Sequence, residues 1–573
     1  MADPRNLVQR ILYATWPSFR EGMNRKWQYN HGTPPPWTAA GKKYAQAQEV
    51  IARQLETPPP VHGDARWMSR AEAAAIVGDV TAEPKPHGVD FLSLGYAVDL
   101  DMREAHCEAL STAPGHVLTI AATRAGKGAS QIVPNLLVYG GSMLIIDPKG
   151  ENYAMTHQQR RKLGMVFRLD PFRVTEKWDN EAAFSQYNPL EAIREPADAR
   201  RLADMLMGEA PNGEGLFWHN EALNFLTGII LFVSQLKHHN TLSTVREIVT
   251  LPDGPDTDKA PSKLLQRVRQ MMELSNDPVV KRAMSVFSGQ PPKMRSGVVS
   301  TINAKTAIWD EQPMSEAVGG HHLDLEQLKH TRITVYVILP LDKLHTYGAF
   351  LRLMVAQFYQ AMVRDEKTPD VPVVCLVDEF PALGAMDEIV RALAEVAGFG
   401  VRFWIFVQSV AQLSSTYPKT WQQVLSQCST KSVFGVTDGE TAKWLSEELS
   451  NTTVAYLSSS TSVGGGTLDA SMHATGNAGT GLSVQLAGKP LLTVPEIREH
   501  LGVGRRFAVT FLSGHAPMMT LLAPWYEDGF LSALGTDLTV PTVKTVAAAG
   551  VTPAKPVFDD NYTFGIREAD KDD

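Results

Sequence analysis

The stretch that most constrains this chain is Val117-Leu118-Thr119-Ile120-Ala121-Ala122-Thr123-Arg124-Ala125-Gly126-Lys127-Gly128. A short β-branched and apolar run enters a turn of small residues, and Gly-Lys follows where a helix should begin. That layout cradles phosphate: backbone N–H groups and a helix N-terminus face the anion, and the Lys ammonium reaches the outer phosphates. It predicts that Thr123, Arg124, Ala125, Gly126, Lys127, Gly128 and Ala129 surround the phosphates of a bound nucleotide. Two positions depart from the pattern G-x-x-x-x-G-K-[ST], which wants Gly at 121 and a hydroxyl at 128 where this chain has Ala121 and Gly128. Ala121 is acceptable if its φ is negative. Gly128 removes the side chain that usually holds Mg²⁺, leaving Thr123 or Ser130 as substitutes.

A nucleotide site of this kind needs a second, acidic strand end, and Val373-Val374-Cys375-Leu376-Val377-Asp378-Glu379-Phe380 supplies it. Five apolar residues read as a fully buried parallel strand. Asp378 at its carboxyl end would hold Mg²⁺, directly or through water, and Glu379 would orient or deprotonate the attacking water. A third strand, Val401 to Val407, ends in Gln408-Ser409, whose amide can sense a γ-phosphate. Each ending has an ordinary reading alone, as a turn or a core strand meeting solvent. Three together are hard to obtain by chance, and they read as an ATPase core.

A chain of 573 residues exceeds one compact core and predicts two or three structural units. Hydrophobic residues at 44% and charged residues at 20% give the balance of a soluble globular protein. Cys107, Cys375 and Cys428 form no disulfide framework and are expected to be reduced. The net charge of −8 gives no global nucleic-acid footprint, so DNA would have to meet a local basic surface or a pore. No run reaches the roughly 18 consecutive apolar residues that span a bilayer. The nearest, Phe225 to Val233, reads as a buried core helix, and the polar opening Met1-Ala2-Asp3-Pro4-Arg5 is no signal peptide.

Taken in order, residues 6–27 carry Leu7, Val8, Ile11, Leu12, Trp16 and Phe19 among Arg10, Arg20, Arg25 and Lys26. This basic amphipathic segment suits a membrane surface, a partner helix or its own domain, and Pro17 would kink a long helix through it. Two proline runs, at 34–36 and 58–60, read as stiff linkers around a helix from Ala39 to Leu55. Residues 1–60 are therefore expected to be a docking and linker segment. Residues 61–195 alternate strand and helix, including Ser142 to Asp147 and Met165 to Asp170, and predict an α/β sheet with parallel strands. The first of these ends in Asp147-Pro148-Lys149-Gly150-Glu151, where ligands bind in such sheets.

Residues 196–328 read as helices: Ala197 to Met207, Trp218 to Lys237, Ser262 to Leu274, Pro278 to Phe287 and Arg295 to Ile308. An insertion of that size is a domain rather than a lid loop. Its basic residues Lys281, Arg282, Lys293, Arg295 and Lys305 suit either DNA phosphates or a solvated helix face, with the latter favoured. Strands resume in residues 329–535. Residues 458–481, rich in Ser, Gly, Thr and Ala, are expected to form a mobile loop, and 536–573 an irregular tail.

These motifs together resemble the TraG/TraD-type coupling proteins of type IV secretion. The likeness runs through Arg124-Ala125-Gly126-Lys127-Gly128, Pro134-Asn135-Leu136-Leu137, Asp147-Pro148-Lys149-Gly150-Glu151 and Val377-Asp378-Glu379-Phe380-Pro381-Ala382-Leu383-Gly384. It continues through Ala397-Gly398-Phe399-Gly400, Gln408-Ser409, Gln412-Leu413, Phe434-Gly435 and Lys489-Pro490-Leu491-Leu492, and covers about residues 61 to 528. The resemblance implies a RecA-like P-loop motor domain with a parallel-stranded central sheet, interrupted by an all-α domain and assembled as a homo-hexamer. It implies ATP and Mg²⁺ as ligands, with Lys127 on the β- and γ-phosphates, Asp378 on the metal, Glu379 on the water and Gln408 on the γ-phosphate. A ring also wants an arginine from the neighbouring subunit, for which Arg391 and Arg402 are candidates.

The implied partners are a relaxase–DNA complex, secreted proteins and components of the secretion channel, met at the cytoplasmic face of the bacterial inner membrane. Family members usually begin with two membrane-spanning helices. None is legible here, so anchoring is expected through a partner protein or residues 1–30. Two other readings stay open: an intracellular DNA translocase of the FtsK/HerA type, and a non-hydrolysing substrate receptor. The helical insertion and Pro-Lys-Gly-Glu argue against the first, and the presence of Asp378, Glu379 and Gln408 against the second.

Overall fold

A computed structural model describes residues 17–31, 33–77, 89–99, 104–111, 115–180, 183–208, 210–254, 262–384, 386–463 and 478–538. The chain forms two compact units. The larger holds residues 67–442 and 495 onward; the smaller holds the residues up to 66 together with 443–494.

The larger unit is built on one eleven-stranded sheet. In chain order its strands are β1 (Leu92–Asp99), β2 (Glu104–Ser111), β3 (Val117–Ala121), β4 (Met143–Ile146), β5 (Met165–Leu169), β6 (Ile333–Val337), β7 (Val373–Val377), β8 (Val401–Val407) and β9 (Thr430–Phe434). The sheet is completed by β12 (Phe507–Leu512) and β13 (Met518–Leu521), while β10 (Asn451–Val463) and β11 (Ala478–Pro490) form a separate two-stranded sheet in the smaller unit. Across the sheet the order is β2-β1-β13-β12-β9-β3-β8-β7-β4-β6-β5. From β9 to β5 every pairing is parallel; from β9 outward to β2 every pairing is antiparallel.

The sequence dictates this division. Apart from Arg402 in β8, strands β3, β4, β6, β7 and β8 are runs of apolar, aromatic or β-branched residues, and every residue in them is buried. Helices cover both faces of such strands, so no position is left for a solvated side chain. Burying each Val, Leu or Ile stabilises the sheet by roughly 1.5–3 kcal/mol relative to exposure. The sheet is thus mixed, where the sequence reading stressed parallel strands; the antiparallel edge is the part it did not orient.

Between β5 and β6 lie helices Pro196–Met207, Glu214–Ser234, Leu242–Val249, Lys263–Leu274, Pro278–Ser288, Pro292–Thr306 and Gln312–Ala317. Five overlap the expected ones. The short helices at 242 and 312 were missed because each spans about two turns, too few for periodicity to register. The stretch from Gly215 to Ser234 is long and apolar enough to cross a membrane by length and composition, yet 67% of its apolar window is buried inside the protein. Its phenylalanine Phe225 stacks on Phe287 at 3.6 Å between ring centroids. Arg295 is not an exposed cation: it is 5% exposed and pairs with Asp253, Nε to Oδ2 at 3.2 Å. Lys281, Arg282, Lys293 and Lys305 do face solvent.

In the smaller unit a helix is described over Pro17–His31; residues 6–16 of the amphipathic segment, and with them the expected kink at Pro17, lie outside the described residues. Helix Ala39–Glu56 is capped by Thr38, whose hydroxyl accepts from Gly41 N–H, and Trp37 meets Trp27 edge-on at 5.0 Å. The expected mobile loop is corrected: residues 458–463 and 478–481 belong to a ribbon in which β10 and β11 pair antiparallel over 13 residues each. Alternating Thr, Val and Tyr at the base set its register, and backbone pairing carries it into the Ser- and Gly-rich part. Residues 464–477 lie outside the described residues.

Candidate active site

Parallel strands share a direction, so the residues following β3, β4, β7 and β8 emerge at one edge of the sheet. The first is the loop after β3. Ala121 closes the strand with extended backbone, which is why alanine suffices there. The turn is made by Arg124 (φ 63°) and Gly126 (φ 90°), with Ala125 N–H bonded to the Ala122 carbonyl. A left-handed arginine is uncommon, and such backbone strain concentrates at functional loops. Gly435, just after β9 (φ 60°), lies so close that any Cβ there would overlap the Ala125 Cβ. Gly128 is the opposite case: nothing lies within 4 Å of where its Cβ would stand, so the missing hydroxyl has no steric cause.

Behind the loop, residues Gly128–Ile132 form a π-turn that runs into helix Val133–Val138. Gln131, fully buried, rivets this turn to the sheet. Its Oε1 accepts from Thr119 Oγ1 (2.9 Å), and its Nε2 donates to Ser432 Oγ (2.9 Å) and the Leu94 carbonyl (3.3 Å). Trp404 Nε1 donates to the same Thr119 hydroxyl at 3.0 Å. Asn135 completes the clamp, accepting from Ser93 N–H (2.7 Å) and donating to the Ser93 carbonyl (2.8 Å). The wide turn therefore has one buried polar cause, and π-turns recur at functional sites.

Lys127 reaches across to β7. Its ammonium donates to the Asp378 carbonyl at 2.9 Å, and lies 3.1 Å from Asp378 Oδ1 and 3.7 Å from Glu379 Oε2. All three side chains are about one-fifth exposed, at 21%, 19% and 19%. Asp378 Oδ1 is shut off from solvent, and the Lys127 ammonium at 3.1 Å is the charge set against it. A shielded carboxylate oxygen with a lone pair to give suits Mg²⁺, which takes one or two carboxylates plus phosphate oxygens and water rather than a protein cage. No cluster of three His, Cys, Asp or Glu residues is arranged for a metal among the described residues, consistent with that sparse ligation.

Gln408, at the end of β8, joins the other two. Its Nε2 donates to Glu379 Oε2 (3.2 Å) and its Oε1 accepts from Thr123 Oγ1 (3.1 Å). The residue that sequence reasoning left without a role is Gln412, whose Nε2 donates to Glu379 Oε1 at 3.1 Å. Its spacing from Gln408, four residues across a Ser N-cap, was the available signal. Ser130, the other candidate hydroxyl, is buried in the π-turn with its N–H on the Gly126 carbonyl.

The acidic turn after β4 plays a different part. Asp147 is wholly buried, and its Oδ2 accepts from Tyr153 N–H at 2.9 Å, bracing the helix Glu151–Leu163 that Gly150 (φ 70°) begins. Burial raises its carboxyl to about 7, the Tyr153 N–H opposing and the charges of Asp378 and Glu151 adding to the shift. Lys149 and Glu151 are exposed. Of the two arginines considered, Arg402 is 5% exposed near the start of β8, the end away from Gln408. Arg391, on helix Asp387–Glu395, is exposed.

A parallel sheet with a Gly-Lys loop, an Asp-Glu strand end and a glutamine strand end at one edge is a RecA-like P-loop fold. Residues 69–550 match the family described as type IV secretory system conjugative DNA transfer, and the chain belongs to that family, the type IV secretion coupling proteins. It is 25% identical over 495 residues to the conjugal transfer protein TraG of Escherichia coli, covering 76% of each chain. Against protein VirD4 of Agrobacterium fabrum it is 24% identical over 430 residues, 73% of this chain and 60% of that one. Among solved structures, the plasmid coupling protein TrwB in complex with ADP and Mg²⁺ superposes with a TM-score of 0.52 at 14% identity, covering 80% of this chain and 94% of that one.

Proposed function

We propose that this chain is an ATP-hydrolysing coupling protein that recruits a relaxase–DNA complex, secreted proteins or both to a type IV secretion channel and drives their transfer. The observation that carries the reading is the convergence of Lys127, Asp378, Glu379 and Gln408 within one hydrogen-bonded cluster. The N–H groups of residues 123–129 and the Lys127 ammonium would take the phosphates of ATP. Asp378 would hold Mg²⁺, which when bound offsets charge on the phosphate oxygens. Glu379 orients the attacking water and accepts its proton, and Gln408 contacts the γ-phosphate. Family membership and the nucleotide and Mg²⁺ carried by TrwB support the same ligands here.

The active form in this reading is a homo-hexamer at the cytoplasmic face of the bacterial inner membrane, held there by a partner or by the N-terminal residues. Arg391, the exposed one of the two arginines, is the one this reading assigns to act across a subunit boundary. Domain limits of 61–195 and 329–535 for the motor, 196–328 for the helical domain, 1–60 for docking and 536–573 for the tail belong to the same proposal.

The test is steady-state ATP hydrolysis by the full chain, with and without single- and double-stranded DNA. DNA-stimulated turnover that disappears in Lys127→Ala and Glu379→Gln supports a motor. Nucleotide binding without turnover in any condition would replace it by a non-hydrolysing receptor.

A further inference from the structure

Glu379 is held at both carboxylate oxygens by glutamine amides, and the bonding fixes which way each amide points. Glu379 Oε2 can only accept, so Gln408 must turn its Nε2 to it, which leaves Gln408 Oε1 to accept the Thr123 hydroxyl. Gln412 Oε1 accepts the Gln408 backbone N–H at 2.8 Å, so its Nε2 must face Glu379 Oε1. An amide turned the other way would set two acceptors against each other, which the network forbids. Gln412 is itself anchored: it stands in the first turn of helix Val410–Thr416, and its N–H donates to Oγ of the N-cap Ser409 at 3.0 Å.

The two amides are not equivalent. Gln408 sits at the strand end beside Thr123 of the phosphate loop, where a γ-phosphate would draw on its Nε2. Among the described residues the Gln412 side chain bonds to the Gln408 N–H and to Glu379 and to no residue of the phosphate loop, and its Nε2 donates to the carboxylate. When Gln408 and Lys127, whose ammonium lies 3.7 Å from Glu379 Oε2, both turn toward phosphate, the Gln412 amide is the hydrogen bond left to stop the carboxylate rotating about its Cγ–Cδ bond.

We propose that Gln412 is a positioning residue for hydrolysis, a pivot that keeps Glu379 aimed at the attacking water while Gln408 engages the nucleotide. The inference rests on the reading of Glu379 as the residue that handles water. It explains why this position holds glutamine. Leucine has the bulk without the donor, and glutamate keeps the acceptor for Gln408 N–H but turns a second carboxylate on Glu379.

The test uses the full chain with ATP. Gln412→Leu is expected to lower kcat at least about tenfold while KM for ATP, and the affinity for a non-hydrolysable ATP analogue, change less than about twofold. Gln412→Glu is expected to lower kcat further. In a double-mutant cycle, adding Gln412→Leu to Glu379→Gln should leave the residual rate unchanged, because the group it positions is gone. A merely structural role would instead lower the melting temperature and weaken analogue binding together. If Glu379→Gln abolishes turnover while Gln412→Leu keeps wild-type kcat, or the two losses multiply, the pivot is wrong and the role of Glu379 stands. If Glu379→Gln itself turns over normally, it is the reading of Glu379 that fails.

Discussion

The parallel and antiparallel halves of the sheet are continuous in hydrogen bonding but do different work. From β9 to β5 the strands run one way, so their carboxyl ends collect Lys127, Asp147, Asp378 and Gln408 at one edge. From β12 to β2 the direction alternates, and successive strand ends fall on opposite edges. Only the parallel half can pool side chains from strands far apart in sequence: Lys127 and Asp378 are 251 positions apart yet share a hydrogen bond. The antiparallel half adds area and closes the core, and among the described residues it shows no comparable gathering of charged strand ends.

The largest effect should come from disturbing the pooled edge without touching a reacting group. Gly435→Ala places a Cβ on Ala125 and forces an L-residue to φ 60°, displacing the phosphate loop. ATP turnover should fall about 100-fold, the scale of an ångström's misplacement. Retained turnover would mean that the loop tolerates movement and that the edge is less tightly built than its packing implies.

Next in size is the other end of the same strands. His116 precedes β3; its Nδ1 accepts from Phe403 N–H at 2.9 Å and its Nε2 faces the Leu393 carbonyl at 2.7 Å, so the ring is neutral with the proton on Nε2. Burial lowers its pKa to about 4, the Leu393 bond opposing and the Arg402 charge adding. Between pH 6.5 and 4 the unfolded chain binds a proton that the folded chain refuses. This contribution is complete above pH 6.5 and declines as pH falls toward 4, by about 1.4 kcal/mol per pH unit. Denaturant unfolding at pH 7 and pH 5 should show that slope, and His116→Gln should flatten it.

In the antiparallel half, Thr510 and Thr520 share a hydroxyl bond of 3.0 Å between β12 and β13. Thr510→Val should cost about 1 kcal/mol in unfolding free energy and leave turnover within twofold. A drop in turnover would show that the two halves are coupled, contrary to the contrast drawn above. The smallest effect is expected at Gly128→Ser: with open space around the new side chain, stability should stay within about 0.5 kcal/mol. Turnover should be kept, since the hydroxyl restores a metal ligand rather than removing one.

Much of this was legible in advance because of local chemistry. The strand cores of β3 and β7, and of β8 after Arg402, announce themselves as runs of apolar or β-branched residues; the Asp-Glu and Gln endings follow directly and Gly-Lys within six residues. The ribbon was misread for the same reason: a Ser- and Gly-rich stretch has no side-chain signal, and backbone pairing, which composition does not reveal, carries β10 and β11 past it. Arg402 and Arg295 looked like surface cations because charge is visible in sequence and burial is not.

The sequence alone determined the family, the parallel core and the identity of the four residues at the strand ends, since each depends on residue types within a short window. Tertiary structure alone decided that Gln412 meets Glu379 and that Gln131 ties the π-turn behind the loop to two strands of the sheet. Those roles depend on distances between strands whose order, β9-β3-β8-β7-β4, differs from their order along the chain. A linear sequence carries the residues, but strand order decides which of them meet.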